Sequence, residues 1–176
     1  MRSSKTKLKS STKRFAPRDG PGHPVGMIQE KLKELGLEIP VVNPPVASYV
    51  PARRSGNLVY ISGQLPVRDG KLILMGQLKS DDDVESAQAA MAQCFLNGLA
   101  ALTTVADLES IQQLVRLGAF VSSTPDFHGH HIVANGASNL AQQILGDAGI
   151  HSRAAVGVSA LPLNASVELE LLFEVR

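Results

Sequence analysis

From Met27 onward, hydrophobic and polar positions along the chain alternate between a helical and a two-residue period. The stretch MIQEKLKELG sets Ile28, Leu32 and Leu35 at i, i+4 and i+7 and stops at Gly36, which predicts a short amphipathic helix. VASYVPARRSGNLVYISGQLPV reads as two strands around the turn RSGN, with Val59 and Ile61 alternating against Tyr60 and Ser62. VRDGKLIL carries an Asp-Gly pair between apolar flanks, a hairpin signal. A long helix follows, capped within SDDD, with the apolar stripe Val84, Ala87, Met91, Phe95, Leu99 and Leu102. IQQLVRLGAFVSS is a further strand. HHIVANGASNLAQQILGD is a second long helix, ending near Gly146 or Gly149.

The last two strands, RAAVGVSA and SVELELLFEV, are joined by LPLN. In the second, Val167, Leu169, Leu171, Phe173 and Val175 share one face and Glu168, Glu170, Leu172 and Glu174 the other. In the first, Ala154, Val156 and Val158 form the apolar set. That predicts Arg153, Ala155, Gly157 and Ser159 on the face away from the helices, beside the glutamates. If LPLN closes a hairpin directly, Gly157 lies opposite Glu168. The order β-β-(β)-α-β-α-β-β predicts an α+β domain: a single mixed sheet with two long helices on one face.

Arg153 begins a strand of small uncharged residues, and two readings of it stay open. It belongs either to a solvated polar face, where an ion pair contributes about 0–1 kcal/mol, or to a site for an anion. A guanidinium offers a planar fork suited to a carboxylate. The small residues beside it leave room for a ligand or a partner subunit to approach the backbone.

Charge divides the chain in two. Residues 1–26 hold seven Lys/Arg against Asp19 alone, so residues 27–176 carry ten basic and fifteen acidic groups, a net −5. The first segment is polar, with little to bury, and reads as a disordered basic extension preceding one domain over 27–176. An acidic domain with five Phe, two Tyr and no Trp is poorly equipped to grip nucleic acid. No apolar run approaches the ~20 residues that span a bilayer, so no membrane partner is expected. The single cysteine, Cys94, rules out an internal disulfide and fits a reducing, cytoplasmic setting. The alternative is an organelle, mitochondrion or plastid, if residues 1–26 act as a transit peptide.

The segments SYVPARRSGNLVYISGQLPV, LVRLGAFVSSTPDF, VANGASNL and RAAVGVSALPLNASVELELLFEV together resemble the RidA (YjgF/YER057c/UK114) family, in the family's order. The resemblance implies a chorismate-mutase-like fold and a homotrimer whose sheets form a central barrel, with ligand clefts between subunits. It implies hydrolysis of reactive enamines and imines, such as 2-aminoacrylate, to 2-keto acids and ammonia without a cofactor. By position, Arg153 matches the arginine that binds the substrate carboxylate and Glu168 the glutamate that helps place the attacking water. Tyr49, Ser62, Gly63 and Asn135 match cleft residues. Many members have Cys two residues after the arginine; here that position is Ala155, which leaves a backbone carbonyl to hold water. The alternatives are an endoribonuclease or translation inhibitor, and a non-catalytic trimer that binds small carboxylates.

Two clusters and two single residues remain to be placed. Asp81, Asp82 and Asp83 fit a helix N-terminus. His128, His130 and His131 lie too close in one loop for good metal geometry, so no metal site is expected. His151 is a candidate for the cleft wall, and Cys94 for a small buried hydrophobe.

Overall fold

The structure, a computed structural model, describes residues 27–42 and 48–176. The extension predicted over 1–26 lies outside the described residues. Helix α1 spans Met27–Glu34. Strands β1 (Ala52–Ser55) and β2 (Leu58–Gln64) form the expected hairpin, turning at Gly56 with a positive φ of 61°. Strands β3 (Val67–Arg68) and β4 (Lys71–Leu72) form the second, through Asp69 and Gly70 at φ 52° and 73°. That pair of left-handed residues is what an Asp-Gly hairpin turn requires.

The long helix α2 covers Val84–Leu102 and β5 covers Ile111–Ser122. The second helical stretch divides into α3 (His130–Val133) and α4 (Asn135–Leu145), ending at Gly146 with φ 58°. A Cβ on Gly136 would strike the carbonyl of Gln88, so glycine there lets α4 lie directly against α2. Strands β6 (Ser152–Val158) and β7 (Val167–Val175) complete the chain. Among the described residues no helix is long and apolar enough to cross a membrane.

Five strands make one sheet in the order β1-β2-β7-β5-β6. Phe95, Leu99 and Leu102 of α2 pack with Ile61, Leu169, Leu171 and Phe173 in the core on one face. The apolar set expected on β7 is the buried one, from Val167 to Val175.

The expected β6–β7 hairpin does not form. β6 runs parallel to β5, with Leu117 opposite Arg153 and Ala119 opposite Ala155, while β7 lies between β2 and β5. The LPLN segment is a tight turn with Leu163 and Asn164 at φ 56° and 59°. It is tied to the 74–76 segment rather than to facing strands: Gly76 N–H donates to Asn164 O at 2.8 Å, and Ser166 Oγ donates to Gly76 O at 2.7 Å.

The register also reverses the face assigned to β6. Leu117, Ala119 and Val121 are core residues, so their partners Arg153, Ala155 and Gly157 stand on the helix side. Ala154, Val156 and Val158 stand on the open side with Glu168 and Glu170. Gly157 confirms this, since a Cβ there would meet the His130 ring of α3. The reason is position: β6 is an edge strand whose helix side is covered by the polar end of α3–α4, so its larger apolar residues face outward.

The 107–110 turn holds both ends of the described domain. The buried Glu109 carboxylate accepts from Ile28 N at 3.0 Å and Gln29 N at 3.1 Å, capping α1 and seating Ile28 and Leu32 in the core. Arg176 N donates to Ser110 O at 2.9 Å, and Arg176 Nη2 to Glu109 O at 2.6 Å. Glu109→Ala strands two helix N–H groups, and is expected to lower the unfolding free energy by about 1–3 kcal/mol in urea titration. Glu109→Gln keeps an acceptor oxygen and should lose less.

Candidate functional site

Arg153 is held from the helix side. Its Nη1 donates to Asn135 Oδ1 at 2.8 Å and to Ser138 Oγ at 3.0 Å, and its Nη2 to the His131 carbonyl at 3.2 Å. Asn135 and Ser138 sit three residues apart on α4 and therefore share a face. Of five guanidinium N–H donors, these bonds use both on Nη1 and one on Nη2. Nε–H and one Nη2–H are left without a partner among the described residues. No acid forms an ion pair with Arg153 among those residues. A cleft of about 250 Å³ adjoins the guanidinium, lined by Ser138, Gln142, Gly149, Ile150 and His151.

Glu168 occupies the other side of the sheet. A Cβ on Gly63 would overlap the Glu168 carboxylate, so glycine at 63 is what gives that side chain its place. The bulge in the β2–β7 register falls between Ile61 and Gln64, at the Ser62-Gly63 step itself. The carboxyl is half-buried, and its pKa is raised first by that burial and then by the neighbouring Glu170 carboxylate.

Tyr49 and Ser62 line a larger cleft of about 540 Å³ with Arg53, Tyr60, Arg116 and Glu170. Ser62 Oγ donates to Val50 O at 2.7 Å and Ser62 N–H to Pro51 O at 3.0 Å, which pins the segment carrying Tyr49 against β2. Partly buried Ala155 packs against the core two residues along β6 from Arg153.

The candidate residues therefore fall into two groups rather than on the single face expected. Arg153, Asn135 and Ala155 lie on the helix side of the edge strand; Glu168, Gly63, Ser62 and Tyr49 gather around β2 and β7. Strand β5 separates them, and neither cleft contains both Arg153 and Glu168. Ser138 was missed in the sequence, although its i, i+3 spacing from Asn135 was a usable signal. His151 does line the Arg153 cleft.

The remaining candidates are structural. His130 Nε2 lies 2.9 Å from Ser123 Oγ, its ring edge-on to Phe127; burial, then His128 and His131, hold its pKa below the ordinary value. Asp83 is held low by the N–H groups of Lys79 and Ser80. Burial pushes the Cys94 thiol well up, away from the reactive thiolate. Among the described residues no three His, Cys, Asp or Glu side chains gather as a metal site would need.

The raised Glu168 carries a stability consequence. Its ionised form is disfavoured in the fold, so stability falls as pH climbs from the ordinary value of 4.5 through the raised one. Glu168→Gln is expected to raise Tm at neutral pH and to leave Tm unchanged below pH ~4, where both side chains are neutral; calorimetric scans at the two pH values check this.

Comparison with known proteins bears on this geometry. The chain matches over residues 29–175 the family described as "YjgF/chorismate mutase-like, putative endoribonuclease". It is 37% identical over 153 residues to Protein TCP17 of Trypanosoma cruzi, covering 86% of this chain and 96% of that protein. It is 45% identical to the protein Atu1372 of Agrobacterium tumefaciens, of unknown function, with a TM-score of 0.77 over 85% of this chain and 93% of that one. A Shewanella oneidensis protein carrying the endoribonuclease description is 33% identical, with a TM-score of 0.81 over 85% of this chain and 99% of that one. The Escherichia coli YjgF protein, at 21% identity over 77% of this chain and 94% of that one, shares the fold at a TM-score of 0.56. The α+β architecture is the chorismate-mutase-like one, and the chain belongs to the YjgF family.

Proposed function

We propose that the protein hydrolyses small carboxylate-bearing imines and enamines to 2-keto acids and ammonia, with no cofactor. The observation that carries this reading is the Arg153 guanidinium, fastened by three hydrogen bonds and keeping Nε–H and one Nη2–H for a ligand. Two donors held in a plane match the two oxygens of a carboxylate.

An enamine first tautomerises, gaining a proton at its β-carbon and losing one from nitrogen; water then adds to the C=N carbon to give a carbinolamine, which collapses to the keto acid as ammonia leaves. The imine is already electrophilic, so the site has to orient it and move protons rather than supply a strong nucleophile. Arg153 anchors the carboxylate. Glu168, whose raised pKa brings proton exchange closer to neutrality, takes a proton from the attacking water and returns it to the departing nitrogen. Tyr49 and Ser62 wall the cleft and Gly63 makes room for the Glu168 carboxyl; Asn135 fixes the arginine, and the Ala155 carbonyl is an acceptor for water.

Arg153 and Glu168 lie on opposite faces of one sheet, so this chemistry requires a second copy of the chain to bring the two half-sites together, as in a homotrimer. The exposed open face supports that assembly: Val156 on β6 and Tyr60 on β2 present apolar surface there, 44% and 50% exposed.

The test is ammonia release from 2-aminoacrylate generated in situ by a dehydratase. The wild type should accelerate it over buffer, and Arg153→Ala should lower kcat/KM by about 10- to 100-fold, the equivalent of a charged hydrogen-bond pair. Glu168→Gln should lower kcat by about 100-fold or more. Absence of acceleration by the wild type refutes the enzymatic reading and leaves a carboxylate-binding protein.

A second reading, RNA cleavage, is favoured by the family's own description. Residues 27–176 carry net charge −5, so only the basic 1–26 segment supplies a field for RNA. Deleting residues 1–26 should abolish RNA retention in a filter-binding assay and leave deamination intact.

A further inference from the structure

The Ser138 bond to Arg153 continues one residue further, to His151, which the chemistry above does not use. His151 Nδ1 lies 2.6 Å from the Gly149 carbonyl. A carbonyl only accepts, so Nδ1 carries the hydrogen. In the neutral ring Nε2 is then an acceptor, and Ser138 Oγ, 3.0 Å away, donates to it. With its proton committed to His151, the Ser138 oxygen turns a lone pair to Arg153 Nη1 at 3.0 Å. The result is a directed chain: Arg153 N–H to Ser138 O–H to His151 Nε2, with Nδ1–H anchored on a backbone carbonyl.

We propose that His151 is a positioning residue for Arg153, acting through Ser138 to occupy Nη1 and so present the Nε/Nη2 edge of the guanidinium to the ligand carboxylate. This rests on reading Arg153 as a carboxylate anchor. Without an acceptor at Nε2 the Ser138 hydroxyl is free to rotate its proton towards Nη1, which removes one of the two bonds holding that nitrogen. The arginine then gains freedom, and a carboxylate must pay the entropy of ordering it on binding.

A hydroxyl bonded to an imidazole also suggests a nucleophile, but the surroundings oppose that role. The Ser138 N–H is spent on Ala134 O at 3.2 Å inside the helix, so it offers nothing to an oxyanion. The other Ser–His contact, Ser123 with His130, is packed on Phe127 and Gly157 away from Arg153.

Calorimetric titration of the full-length protein with pyruvate, a small 2-keto acid, reads this arrangement without depending on turnover. His151→Phe keeps a ring and removes the acceptor; it should raise Kd about tenfold, the loss of roughly one hydrogen bond's worth of alignment. His151→Gln puts an amide oxygen close to the Nε2 position and should stay within about threefold of wild type on the same scale. Ser138→Ala should match His151→Phe, and combining the two should add nothing further, since both break one chain. Thermal melts of each variant separate this from loss of fold. Equal affinity for His151→Phe and wild type, equal weakening by Phe and Gln, or additive effects of the Ser138 and His151 changes would each overturn the proposal. A wild type that does not bind pyruvate also overturns it, whereas the deaminase reading is judged separately by ammonia release.

Discussion

The parallel pairing of β5 with β6 is the constraint on which the Arg153 half-site depends. Parallel neighbours need a crossover connection rather than a tight turn, and here the crossover is α3 and α4, laid over the sheet beside α2. That placement brings Asn135 and Ser138 onto the edge strand. The register Leu117 to Arg153 then decides which side of the sheet the guanidinium takes, because a slip of one residue would send it to the other face. Gly157 follows from the same geometry: the His130 ring of α3 occupies the place its Cβ would take.

The Glu168 half-site has a different origin. β7 alternates cleanly, and its core face is filled by Val167 to Val175, so the glutamates are forced outward. Of these, Glu168 is partly desolvated because the β2 bulge and Gly63 let its side chain fold against the backbone. The sheet thus acts as a partition, with a cation secured on one side and a reluctant carboxylate on the other. Kept apart within one chain, the two cannot neutralise each other as an internal ion pair.

Elements with one-sided burial were legible in the sequence. α1 and β7 bury one face, so their apolar period reports the core directly, whereas α2 is buried all round from Gln93 to Leu102 and its stripe marks only part of its contacts. The Asp-Gly and Ser-Gly turns were marked by residues that tolerate positive φ. The family resemblance supplied the candidate residues, but not their sides. For β6 the apolar set, Ala154, Val156 and Val158, marks the open face, because the helix side is taken up by polar contacts from Asn135 and Ser138. Nor could the LPLN segment show that β7 passes β5 to pair with β2. Strand neighbours are chosen by contacts far apart in sequence, which a local pattern does not encode. The Ser138 link to Arg153, fifteen residues away, was hidden for the same reason.

The two-residue step Glu109–Ser110 binds the start of α1 through one carboxylate and the last residue through two carbonyl oxygens. Position 27 and position 176 therefore lie side by side at one pole of the domain. Such adjacency makes the fold topologically close to a ring: the chain could be joined there by a short linker and reopened at an exposed loop with its sheet order unchanged. A cargo fused after Arg176 would start beside the first turn of α1, and neither Met27 nor Arg176 lines either cleft.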